Sequence, residues 1–168
     1  MSKYSLNELN QMSQEEFVAA LGEVFEDHPA IAQQVWEEKP FTDVTQLHQK
    51  MVKIVQEFSP EKQLELIRAH PDLGSKAKMA PASVNEQAGV GLDRLDAAEY
   101  ERFQLLNQAY KEKFGFPFIV AVKNHTKATI LADFERRLEN SLAAEKQQAL
   151  NEIFTIALFR LKAMITDN

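Results

Sequence analysis

Apolar positions along most of the chain recur at intervals of three and four, the spacing of one face of an α-helix. Phe17, Leu21, Val24 and Phe25 share such a face behind Ser13 and Glu16, which are spaced to form a capping box. Pro29 opens a short helix carrying Ile31 and Val35, and Thr42 or Asp43 caps a longer one with Val44, Leu47, Met51, Ile54, Val55 and Phe58 in a stripe. Ser59 and Pro60 supply a cap and a first-turn proline for a helix that runs to His70, where Pro71 stops it. Asp96 caps a helix through Lys113 that aligns Phe103, Leu106, Tyr110 and Phe114 and ends at Gly115. Thr126 opens a helix with Ile130, Leu131, Phe134 and Leu138. Ser141 opens the last, whose Leu150, Ile153, Phe154, Ala157, Leu158, Leu161 and Met164 make a broad apolar face. The pattern predicts an all-α, single-domain multi-helix bundle over residues 1–168.

Two stretches break the helical period. Leu73 to Asp96 holds three of the five glycines and reads as a long ordered loop with a short helix inside, a loop length that in compact domains tends to be functional. Phe116 to Val122 is an apolar run interrupted by Pro117, a short buried extended segment with no second strand to pair with. Its backbone N–H and C=O groups must therefore be satisfied by loops, water or a ligand.

Bulk properties narrow the chemistry. At 168 residues the chain can bury a full core, and with no cysteine it has no disulfide framework, thiolate zinc site or cysteine nucleophile; a reducing compartment is expected. A net charge of -6 argues against nucleic acid as a partner, because such binding rests on clustered Lys and Arg. No apolar run approaches the ~20 residues of a membrane span, and neither an apolar leader nor a terminal Ser-Lys-Leu is present, so a cytoplasmic protein acting on small molecules is expected.

His28, His48, His70 and His125 are not spaced as metal ligands on a helix. His70 stands out because the following proline places it at a helix exit, where an imidazole can reach a pocket and exchange protons near neutral pH; taken alone, a histidine there is more often a terminator with a satisfied ring. Ser83 and Glu86 read either as a capping box or, because the helix they would open has little apolar face, as a carboxylate available to an imidazole, whose pKa it would raise. Arg160 borders the apolar face of the last helix, so that its guanidinium either snorkels outward or turns in to grip a carboxylate or urea-like group.

Taken in order, Ser5-Leu6-Asn7-Glu8-Leu9-Asn10, His70-Pro71-Asp72-Leu73-Gly74, Ser83-x-x-Glu86-Gln87, Phe114-Gly115-Phe116-Pro117-Phe118-Ile119 and Arg160-Leu161 resemble the 2-oxo-4-hydroxy-4-carboxy-5-ureidoimidazoline (OHCU) decarboxylases over nearly the whole chain. The resemblance implies a bacterial, helical, homodimeric lyase of urate degradation that forms (S)-allantoin without metal or organic cofactor. It implies His70 as proton donor and Glu86 as its catalytic partner. Pro71, Ser83, Val84, Asn85, Gln87, the backbone of Phe118, Ile119, Val120, Ala121 and Val122, and Arg160 are implied to bind substrate. The alternatives are another ureide or 5-hydroxyisourate enzyme, or a helical module that binds a ligand or partner.

Overall fold

The computed structural model describes residues 3–75 and 81–166. Helices dominate it, as the spacing predicts, and the described residues fall into two compact units. One takes the chain through Leu66 and from Phe154 onward; the other takes Ile67–Ile153.

The first unit is built on α1 (Leu6–Gln11), α2 (Gln14–Leu21), α3 (Ala30–Trp36), α4 (Val44–Gln56) and most of α5 (Pro60–Arg68). Polar groups fix where these helices begin. Ser5 with Glu8 and Ser13 with Glu16 form reciprocal capping boxes, and of the two cap residues considered for α4 it is Asp43 that accepts from the Gln46 N–H at 2.7 Å. The hydrogen bonds from Ser13 also hold the Glu16 carboxyl below its ordinary pKa. Helix α3 packs on both α2 and α4, burying Leu21, Ile31, Val35, Leu47, Met51 and Val55. The sequence pattern carries no sign of the two-residue strands β1 (Tyr4–Ser5) and β2 (Ile165–Thr166), which pair in parallel. Two residues are too short to express an alternating period.

The second unit contains α6 (Pro81–Gly89), α7 (Ala97–Phe114), a 3-10 turn (Val122–Asn124), α8 (Lys127–Arg137) and the first half of α9 (Leu142–Met164). Asp96 and Glu99 box the start of α7, and Gly115 ends it at φ +79, the left-handed conformation that makes glycine the favoured C-terminal residue. Tyr110 is the hub of an aromatic core, with ring centroids 4.6 Å from Phe114, 5.3 Å from Phe118 and 5.9 Å from Phe116, while Phe118 stacks on Phe134 at 3.8 Å. These rings draw the irregular Phe116–Val122 backbone into the interior, where every residue of it is buried.

Candidate active site

Helix α5 ends at Arg68, and the His70 N–H closes its last turn on the Ile67 carbonyl at 3.3 Å. His70 is 8 % exposed as a whole residue, so the chain turns it inward at the exit rather than out to solvent. Arg68 reaches the end of α7, its Nε donating to the Gly115 carbonyl at 3.0 Å, which ties the His70 exit to the start of the extended segment.

The loop after His70 is held from two helices. From α6, the Gln87 carboxamide accepts from the Gly74 N–H at 3.0 Å and donates to the Asp72 carbonyl at 3.4 Å. From α7, Asn107 donates to the Leu73 carbonyl at 2.8 Å, and Lys111 meets the Asp72 carboxylate at 2.8 Å. Gly74 is required at its turn: φ is +67, and a Cβ there would lie 2.8 Å from the Leu95 side chain. The expected loop from Leu73 to Asp96 contains α6 as its short helix; residues 76–80 of it lie outside the described residues.

Because α6 begins at Pro81, Ser83 lies within its first turn and not ahead of it, and the capping-box reading of Ser83 and Glu86 does not hold. Ser83 and Gln87, four residues apart, form the buried face of α6, and Glu86 sits half-buried at its edge. Val84, at 46 % exposure, and Asn85 occupy the outer face, apart from the other α6 residues expected to bind substrate. The buried face brings α6 onto the 3-10 turn that starts at Val122. Three of the stretches singled out in the sequence thus meet through α6.

The extended segment finds part of its backbone partners within the protein: the Ile119 carbonyl accepts from Arg137 Nη1 at 2.7 Å, the Ala121 N–H donates to Glu152 Oε1 at 3.0 Å, and the carbonyls of Ala121 and Val122 accept from the N–H groups of Asn124 and His125. Phe118 and Val120, buried at 0 % and 3 % exposure, have backbone groups with no protein hydrogen bond among the described residues.

Arg160 belongs to the first unit. Its guanidinium does not snorkel; it turns inward and bonds the Glu26 carboxylate at 2.9 Å and the carbonyls of Glu23 and Val24 at 3.2 and 3.3 Å. Of the remaining histidines, His28 Nδ1 meets the Glu26 carbonyl at 2.7 Å, His48 Nε2 the Phe154 carbonyl at 2.8 Å and His125 Nδ1 the Thr129 hydroxyl at 3.0 Å. No cluster of three or more His, Asp or Glu that could hold a metal occurs among the described residues.

Several charges went unread in the sequence: Glu26, Arg137 and Glu145, which are buried, and Glu152, which is half-buried. Two carry a signal in hindsight. Arg137 continues the Ile130 and Phe134 stripe of α8, and Glu145 precedes Ala149 and Ile153 on the buried face of α9, so each is a charge at an apolar position. Glu26 sits in a turn and has no periodic context.

Helices with almost no sheet, a buried histidine at a helix exit and a buried, irregular backbone segment beside an acid-bearing helix define a helical protein with an enzyme-like site. The family model for OHCU decarboxylase matches residues 10–162. The 2-oxo-4-hydroxy-4-carboxy-5-ureidoimidazoline decarboxylase of Halalkalicoccus jeotgali is 48 % identical over 98 % of this chain and 93 % of its own, and that of Haloferax volcanii 44 % over 96 % of each. A crystal structure of (S)-allantoin synthase superposes with a TM-score of 0.79 at 31 % identity, covering 96 % of this chain and 54 % of the other. The chain belongs to the OHCU decarboxylase family and is a carboxy-lyase. No helix among its described residues is long and apolar enough to cross a membrane.

Proposed function

We propose that the chain converts OHCU to (S)-allantoin, with His70 as proton donor and Glu86 as its catalytic partner. The observation that carries this reading is the convergence on α6: its Gln87 holds the loop that follows His70, its Glu86 is one residue away, and its buried face meets the turn at Val122. The relatives' names supply the substrate and product.

The chemistry asks little of a cofactor. The substrate carboxylate sits on a carbon beside a C=N bond. When the C–C bond to the carboxylate breaks, its electron pair flows into that system, and a proton delivered from one fixed face completes the product. The protein has to orient the substrate, exclude water and supply that proton. Pro71 lies in the donor's loop and Ser83 and Gln87 on α6, the Phe118 to Val122 backbone offers donors and acceptors to a ureido-imidazoline ring, and the resemblance gives Arg160, in addition to its bond to Glu26, as the anchor for anionic groups. Val84 and Asn85 complete the set that the resemblance supplies. We further propose one decarboxylase domain over residues 1–168 that works as a homodimer in the cytoplasm, on the family resemblance and the absence of cysteine.

Freshly generated OHCU followed by circular dichroism tests the reading. The expected result is accelerated, single-handed allantoin formation; a time course identical to the spontaneous, racemising one overturns it. His70→Gln should lower kcat by roughly 100-fold or more, within the range for removing a general acid, with the melting curve retained. Glu86→Gln should lower kcat and displace the acidic limb of the pH profile.

A further inference from the structure

An extended chain presents the N–H and C=O of alternate residues to opposite sides. In the buried segment after Gly115 the two side-chain ties follow that alternation, ahead of the 3-10 turn in which the Val122 carbonyl is taken by the His125 N–H. The Ile119 carbonyl is taken by Arg137 from α8, and the Ala121 N–H by Glu152 from α9. Both ties are made to odd-numbered residues, so they lie on one edge of the segment. On an extended backbone the groups of Phe118 and Val120 belong to the other edge, and these make no protein hydrogen bond among the described residues. Each brace is itself fixed. Arg137 is fully buried, its Nε bonded to Glu145 Oε1 at 2.8 Å and its guanidinium 4.3 Å from the Phe118 ring, while Glu152 Oε2 accepts from Gln148 at 3.0 Å.

We propose that Arg137 and Glu152 are positioning residues for substrate binding: they hold the Ile119 and Ala121 edge so that the backbone of Phe118 and Val120 forms the edge that reads the substrate's ureido and ring N–H and C=O groups. The inference rests on the proposed role of this segment in the decarboxylase site. It divides the five-residue binding stretch into a read edge and a braced edge. Neither brace touches substrate. Their effect is to keep donors and acceptors in register before the ligand arrives, which lowers the ordering cost of binding. Backbone recognition of this kind depends on fixed geometry, because a backbone without a ladder has no other restraint on its direction.

Glu152 is the cleaner test, since it is half-buried and its removal leaves the aromatic core intact. Steady-state kinetics with fresh OHCU are measured for the wild type, Glu152→Ala and Glu152→Gln, with binding of (S)-allantoin followed at the backbone amides of Phe118 and Val120 by NMR. The expected result is a KM raised by roughly tenfold in Glu152→Ala, as for loss of one charge-assisted hydrogen bond, with kcat changed far less. Glu152→Gln, whose amide oxygen still accepts from the Ala121 N–H, should restore KM. In the wild type, allantoin should shift the Phe118 and Val120 amides more than that of Ala121. A wild type that turns over OHCU while Glu152→Ala keeps its KM overturns the bracing inference and leaves the decarboxylase reading standing. A wild type in which the Ala121 amide shifts most overturns the bracing inference in the same way. A wild type inert toward OHCU overturns the reading and the inference with it. Arg137→Lys provides the second brace: it keeps the charge but loses the fork that spans Glu145 and Ile119, and a raised KM in a variant with a native melting curve supports the proposal, whereas an unchanged KM counts against it.

Discussion

Two arginine–glutamate pairs are buried among the described residues, one in each compact unit, and they differ in what surrounds them. Arg160 and Glu26, at 6 % and 3 % side-chain exposure, fasten a turn by its own residues: the guanidinium takes the Glu26 carboxylate and the carbonyls of Glu23 and Val24. Arg137 and Glu145, both fully buried, sit in a larger network in which the carboxylate accepts from the Tyr110 hydroxyl at 2.6 Å and from Asn140 at 2.8 Å, while the arginine holds Ile119. A buried ion pair barely offsets its own desolvation, so the pair alone explains neither site. What they share is an irregular stretch of buried backbone whose carbonyls have no helix or sheet partner. A guanidinium satisfies several such oxygens at once, and its carboxylate neutralises it.

The comparison breaks first on stability. Arg137→Met strands the Glu145 carboxylate and the Ile119 carbonyl together, and chemical denaturation should show a loss of about 3–5 kcal/mol, the range for removing one member of a buried pair. Arg160→Met should lose less, because its pair keeps a little solvent. The double replacements sharpen the contrast. Arg160→Met with Glu26→Leu removes both charges and should recover most of the loss, whereas Arg137→Met with Glu145→Leu still leaves the Tyr110 hydroxyl unbonded and should recover little. Equal recovery in the two cases would show that the surrounding network contributes nothing. In the decarboxylase reading Arg160→Lys should also weaken substrate binding although the charge is kept, measured as a raised KM, because the planar fork is lost.

Most of the helical framework was legible because it is written in local terms. The caps at Ser13, Asp43, Asp96 and Thr126 and the stop at Gly115 fall where short-range hydrogen bonding demands, and the apolar stripes fall on the buried faces. His70 at its helix exit was legible for the same reason. The Ser83 cap failed because Pro81 is itself a good first-turn residue and starts the helix three positions earlier than a cap at Ser83 would. The buried extended segment was legible as a backbone lacking a ladder, but its partners were not: Arg137 and Glu152 lie 18 and 31 residues away from the groups they hold. The contacts of the Gln87 carboxamide with Asp72 and Gly74 were not legible either, because they are set by a fold that no local pattern encodes.

One tight turn in each unit gives a smaller test. Gly74→Ala forces a side chain into a left-handed backbone against Leu95 and should destabilise by about 1–3 kcal/mol in thermal melts. Asp27, next to Glu26, is the reverse case: it holds φ +50 with a side chain present, so Asp27→Gly should be neutral or raise stability by less than about 1 kcal/mol. A destabilised Asp27→Gly would mean that the aspartate side chain, and not only the Arg160 fork, organises that turn.

The two units should also answer pH from opposite sides. In the first unit, burial holds the His48 pKa below the ordinary 6.5, with Lys162 adding to the effect and the hydrogen bond to Phe154 opposing it. The unfolded chain then takes up a proton at His48 before the folded one does, so this contribution to stability is complete above about pH 6.5 and is lost as pH falls through the lowered folded value. In the second unit, burial pushes the Tyr110 phenol well above its ordinary 10.0, reinforced by its hydrogen bond to Glu145. Its contribution is complete below pH 10.0 and declines as the unfolded phenol ionises above it. Stability measured by urea denaturation across this range should therefore lose part of its acid slope in His48→Gln and part of its alkaline slope in Tyr110→Phe. Tyr110→Phe should also lower the plateau between them, because Glu145 loses a donor, while His48→Gln should leave the plateau nearly unchanged. If Tyr110→Phe lowers the plateau yet keeps the full alkaline slope, the phenol is not the group that titrates there, and the Glu145 network acts through hydrogen bonding alone.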